Sequence, residues 1–173
     1  MTIIDELYNW DWNKITNYYG SSHSSMIGFI SYNWINKTNR TVFDSPPSIS
    51  IEGIKHYSDL LLCENNEPIV CVEVETTPEK YEEKYNNIKS YMDTFDSIKY
   101  GILVMYNNKP NKNVNHNIFD TIYSIWNSDN EFNNKIIIIK IGKDDRILKC
   151  DVVNRINKGF YSFQKKLPEI CIK

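Results

Sequence analysis

Alanine is absent from this chain of 173 residues, while Asn, Ile, Lys and Tyr abound. That bias is one of coding composition, as in an AT-rich genome, and carries no functional weight. Other shortages exclude more. No apolar run approaches the roughly 20 residues that a membrane-crossing helix needs, and the opening Met1-Thr-Ile-Ile-Asp-Glu6 lacks the basic-then-apolar order of a secretory leader. An intracellular, cytoplasmic protein without a membrane partner is expected. Cysteine is scarce too. Cys63, Cys71, Cys150 and Cys171 show no CxxC spacing, so they read as reduced packing residues and not as a zinc site or disulfide framework. Of the three histidines, His23 and His116 lie in polar segments with no triad partner by spacing, and no nucleophilic mechanism is built on them.

Charge of either sign is in short supply as a net quantity. The formal balance is −2, which excludes a highly basic nucleic-acid coat. The distribution is uneven, with Lys and Arg gathered from Lys135 onward and the remainder net acidic. The C-terminal portion could face phosphate or be an ordinary solvated surface. A hydrophobic content of 41% at this length supports one domain over 1–173 with a real core.

Ile3 to Tyr19 reads as an amphipathic helix, with Ile3, Leu7, Trp10, Ile15 and Tyr18 on its apolar side. Gly20 to Ser25 is a polar break, and Met26 to Ile35 is apolar but open between helix and strand. Asn36 to Ser48, with Pro46-Pro47, reads as a loop. Ile49 to Glu52, Tyr57 to Cys63 and Pro68 to Glu75 follow as a three-strand meander. The clearest helix comes next. Thr76 or Thr77 can cap it, Pro78 suits its first turn, Glu79 can complete a capping box, and Tyr81, Tyr85, Ile88, Met92 and Phe95 recur at helical spacing. Ile98 to Tyr106 reads as a buried parallel strand reached by a right-handed crossover. Ile118 to Trp126 offers a helix, Lys135 to Ile141 a strand and Arg146 to Val153 another, with Phe160 and Phe163 anchoring the tail. The pattern is α/β with a mixed central sheet flanked by helices.

The most informative residues are Glu73 and Glu75. They share one face of a strand whose text otherwise asks for burial, and burying bare carboxylates is costly. Asp59, on the preceding apolar run, returns to the same end of the sheet in an antiparallel hairpin. Its register decides whether it joins them. A two-residue Asn65-Asn66 turn alone would set Asp59 opposite Val72, whereas a three-residue connection or a bulge sets it opposite Glu73, with Leu61 opposite Cys71. Three convergent oxygen ligands suit Mg²⁺ or Mn²⁺, and an ion there suits phosphodiester hydrolysis.

Over Ile49 to Tyr106, approximately 49–106, the chain resembles the PD-(D/E)XK nuclease superfamily, the fold of many restriction enzymes and junction resolvases. The resemblance rests on Asp59 followed by Glu73-x-Glu75, a Glu-x-Glu variant of the Glu-x-Lys motif. It implies a restriction-endonuclease-like αβββαβ core, and a Mg-dependent DNA endonuclease in which Asp59, Glu73 and Glu75 hold the metal, with Glu75 orienting water. Glu75 departs from the pattern by replacing lysine. Either the second glutamate takes over the water, as in some restriction enzymes of the superfamily, or the lysine has moved to the next helix, at Lys80 or Lys84. Glu52, Glu6 and His56 are auxiliary candidates, each with an ordinary surface role as its rival. Cleavage of both strands of a duplex would call for a homodimer. The competing function is an inactive module of the same fold that binds nucleic acid or a protein. A glycosidase is disfavoured, because two acids on one strand are poorly placed to flank a sugar.

Overall fold

The computed structural model describes residues 1–12, 14, 23–107, 117–144, 147–154 and 159–166; the described side chains end at Tyr106 and resume from Thr121 to Ile141. Helix α1 spans Ile3–Tyr8 and starts on a capping box. Thr2 Oγ1 accepts the Asp5 N–H, and Asp5 Oδ2 accepts the Thr2 N–H. It ends far short of the seventeen-residue helix expected from the sequence. Trp12 Nε1 donates to the Leu7 carbonyl at 2.8 Å, so an indole satisfies a last-turn acceptor and the chain leaves the helix. Ile15 and Tyr18 lie outside the described residues.

The ambiguous apolar stretch is helical, as α2, His23–Trp34, burying Met26, Phe29, Ile30 and Trp34. The segment expected to be a loop contains β1, Arg40–Phe43. This strand, and not Ile49 to Glu52, is the first of the meander. It pairs antiparallel with β4, Leu60–Glu64. Between them β2, Ile49–Ile51, and β3, Ile54–His56, close on each other as a separate hairpin. The reason is local: Glu52 and Gly53, with φ of 51° and 80°, form a two-residue turn that pairs Ile51 directly with Ile54.

Strand β5, Glu67–Glu75, is antiparallel to β4 and parallel to β6, Tyr100–Asn107. Helix α3, Tyr81–Thr94, makes that crossover, and α4, Asn117–Ser128, makes the next one to parallel β7, Ile136–Asp144. Antiparallel β8, Ile147–Asn154, and β9, Gly159–Lys166, complete a seven-stranded mixed sheet of order β1-β4-β5-β6-β7-β8-β9. Phe160 and Phe163 stand on β9, opposite Val153 and Cys150.

Strand alternation sorts the core into two layers. Leu60, Leu62, Val70, Val72, Val74, Ile102 and Val104 meet α1 and α2. Leu61, Cys71, Leu103, Met105, Ile136 and Ile138 meet the Tyr81, Tyr85, Ile88 and Tyr91 side of α3 and Ile122 and Trp126 of α4. Helices on both faces explain the nearly continuous apolar text of β6 and β7. Cys63 and Cys71 are buried free thiols within this packing.

A candidate acidic site at the end of strands β4 and β5

The register of the β4–β5 hairpin combines both geometries the sequence allowed. Asn65 and Asn66, with φ of 52° and 66°, form a two-residue turn that pairs Glu64 with Glu67. The ladder then shifts. Cys63 pairs with Pro68 but Leu62 with Val70, so Ile69 is an extra residue, and Leu61 comes opposite Cys71. Pro68 has no N–H for the ladder, which favours a bulge at this point. The corrected register ends with Leu60 opposite Val72 and brings Asp59 beside Glu73.

Asp59 finishes the strand edge with its side chain. Its N–H donates to the Val72 carbonyl at 3.2 Å, and its Oδ2 accepts the Val74 N–H at 2.8 Å, a donor that β4 no longer reaches. The other oxygen, Oδ1, lies 3.0 Å from His23 Nε2. Because His23 opens α2 on the opposite face of the sheet, its imidazole comes round the end of the strands to meet the carboxylate.

Glu73 is fully buried. Its Oε2 accepts from Lys84 Nζ at 2.9 Å, and its Oε1 is buried with no donor. Burial, and then the negative charge of Asp59, raise the Glu73 carboxyl to about 8; Lys84 pulls the other way and is outweighed. Asp59 acts on Glu73 both as a nearby negative charge and as a side-chain neighbour that favours the protonated form. Burial works against the Lys84 ammonium, but Glu73, Asp59 and Glu75 around it more than compensate, and its pKa is raised. Glu75 is 9% exposed, and its Oε1 accepts the Thr77 N–H at 2.7 Å. That bond replaces the expected capping box. Thr77 makes no side-chain cap, and Pro78–Lys80 forms a 3₁₀ turn ahead of α3.

The structure thus brings together Asp59, Glu73 and Lys84 and adds His23, while Glu75 acts on Lys84 through its charge and bonds the Thr77 N–H. Of the two candidate lysines, Lys80 and Lys84, it is Lys84 that reaches an acid of the site, Glu73. No local signal in the sequence marked His23, since its pairing with Asp59 spans 36 positions of chain that only the tertiary fold brings together. Other candidates sit elsewhere. Lys80 is exposed on the 3₁₀ turn, Glu52 is exposed at the hairpin tip, and neither is among the charges acting on Glu73. His56 ends β3 opposite Ile49. Glu6 belongs to another cluster: its carboxylate takes Arg40 Nη1 at 2.6 Å, Arg40 Nη2 at 2.9 Å and Lys37 Nζ at 2.8 Å. Arg40 also bonds Glu64 beside the Asn65-Asn66 turn, so Glu6 serves the opposite end of the hairpin.

Among the described residues no three His, Cys, Asp or Glu side chains are grouped as ready metal ligands, with Lys84 and His23 each taking one carboxylate oxygen. The donor-less Oε1 of Glu73, on a carboxyl that feels the charge of Asp59, is nevertheless a hard oxygen that a divalent cation fits. Compared with models of known families, curated proteins and solved structures, the chain matches none.

Proposed function

We propose that the protein is a metal-dependent DNA endonuclease of restriction-endonuclease-like architecture. The observation that carries the reading is the bulge-corrected hairpin, which sets Asp59 beside Glu73 while Lys84 from the following helix reaches the same carboxylate. The element order α2, β1, β4, β5, α3, β6 supports it, being a helix, a three-strand meander, a helix and a parallel strand.

Asp59 and Glu73 would hold Mg²⁺ or Mn²⁺, and a bound ion there would polarise the phosphate and neutralise charge on the leaving oxygen. Glu75, anchored through Oε1 on the Thr77 N–H, keeps its second oxygen to orient water and accept its proton. The water oxygen bonds to phosphorus as the bond to the leaving sugar oxygen breaks. Lys84, whose ammonium has donors beyond the one given to Glu73, supplies positive charge to the phosphate oxygens. His23 holds Asp59 in place. A homodimer would supply one such site for each strand of a duplex.

A second reading is favoured by one observation. Lys84 and His23 already occupy one oxygen each of Glu73 and Asp59, as in a noncatalytic module of the same fold that binds nucleic acid or a protein. Incubating the protein with plasmid, single-stranded and branched DNA in Mn²⁺, with Glu73→Ala as control, separates the two. Cleavage lost in the variant supports the nuclease; intact DNA throughout supports the binding module.

A further inference from the structure

The hairpin β2–β3 is inserted between two strands of the main sheet without joining it, and it ends immediately before the candidate acids. Its root is fastened on both sides by one side chain. Tyr91 Oη donates to the Pro47 carbonyl at 2.6 Å and accepts the Ser58 N–H at 2.9 Å, while Ile49 is buried in the core against α3. The tip is a tight turn at Glu52-Gly53. This is a pinned projection, and its free surface is unusual. Tyr57 is 57% and Ile54 62% exposed, two of the few large apolar side chains left in water among the described residues, and Lys55 beside them is exposed as well. Tyr57 precedes Asp59 by two positions, which keeps their Cα atoms within about 7 Å.

We infer that this hairpin is the element that grips the nucleic-acid strand at the scissile position, with Tyr57 stacking on a base next to the phosphate that would lie at the acidic site and Lys55 pairing with a neighbouring phosphate. The inference rests on the proposed nucleic-acid reading of the acidic site. An aromatic ring offers a base-sized face without regard to sequence. A lysine one strand position from the Ile49–His56 pair meets the backbone charge. Because Tyr91 fixes both ends of the insert, the ring is held in advance at a set distance from the acids, and the strand it grips is delivered in register with them.

The test is DNA binding followed by fluorescence anisotropy in EDTA, and cleavage in Mn²⁺, for the wild type, Tyr57→Ala, Tyr57→Phe and Lys55→Ala. Tyr57→Ala is expected to weaken single-stranded DNA binding roughly tenfold and to raise KM more than it lowers kcat. Tyr57→Phe should behave as the wild type, because it keeps the ring. Lys55→Ala should flatten the salt dependence of binding. Cleavage by the wild type with unchanged binding by Tyr57→Ala would overturn the hairpin's role and leave the acidic site standing. Binding that depends on Tyr57 without any cleavage would support the hairpin and overturn the hydrolytic reading. Absence of DNA binding by the wild type would overturn both.

Discussion

Lys84 Nζ lies 2.9 Å from Oε2 of Glu73, a carboxylate with no exposed surface, and this pair joins α3 to the end of β5. Removing the lysine leaves Glu73 facing only Asp59. Lys84→Ala is therefore expected to destabilise the fold by about 2 kcal/mol at pH 9, where Glu73 would otherwise be ionised beside its cation. At pH 6 the loss should be smaller, because a protonated Glu73 needs no cation. Urea unfolding at the two pH values measures the difference, and an equal loss at both would show that the pair is not electrostatically coupled.

Glu73 also sets a pH dependence of opposite sign to that of an ordinary ion-paired acid. Its folded value, about 8, exceeds the ordinary 4.5, so the unfolded chain releases this proton first as pH rises. Stability should fall between pH 4.5 and 8 and level off above, by a few kcal/mol, roughly. Glu73→Gln removes the ionisation. In EDTA the variant should melt higher than the wild type at pH 8 and close to it at pH 4.5, while losing any metal-dependent activity.

Glu6 behaves in the ordinary direction. The Arg40 hydrogen bonds, aided by Lys37 and opposed by burial, lower its carboxyl to about 2. Stability from this group is present above pH 4.5 and is lost as pH falls towards 2, on the order of 1 kcal/mol once solvent screening is allowed for. Arg40 matters more than Glu6. Its side chain is 2% exposed, bonds Glu6 and Glu64, and stacks 3.8 Å from the Trp34 ring centroid. Arg40→Ala should cost about 3 kcal/mol or more in denaturant unfolding, against less than about 1 kcal/mol for Lys37→Ala on the exposed side.

Gly101 begins the buried part of β6 beneath α3. A Cβ at this position would collide with Ile88 Cγ2 and press on Ile136 Cγ1. Gly101→Ala should destabilise by about 1–3 kcal/mol, and Gly101→Ala combined with Ile88→Leu, which removes the γ2 methyl, should recover part of that loss. A neutral single variant would mean that α3 lies further from the sheet than described.

Legibility in the sequence followed the range of the forces involved. The stripe from Tyr81 to Phe95 and the apolar runs of β5, β6 and β7 are local patterns, and they read correctly as helix and strands. Arg40-Thr-Val-Phe43 is a four-residue edge strand among polar neighbours, and Ile49-Ser-Ile51 looks the same in text. Only the Glu52-Gly53 turn, which closes the latter on itself, decides which of them joins the sheet. The acids were legible because alternation places Glu73 and Glu75 on one face, and Asp59 because the bulge at Ile69 was one of two countable ways to align it. His23 was not legible. Nothing near position 23 specifies a partner at position 59, and the helix that carries it was itself ambiguous between periods.

The most direct measurement is calorimetric titration of the metal-free protein with Mn²⁺ at pH 7, alongside Asp59→Ala and Glu73→Ala. One ion bound per chain, with proton release as Glu73 gives up its hydrogen and with binding lost in both variants, is the predicted result. Heat no greater than dilution in the wild type, or uptake that survives both substitutions, would contradict a cation site between Asp59 and Glu73.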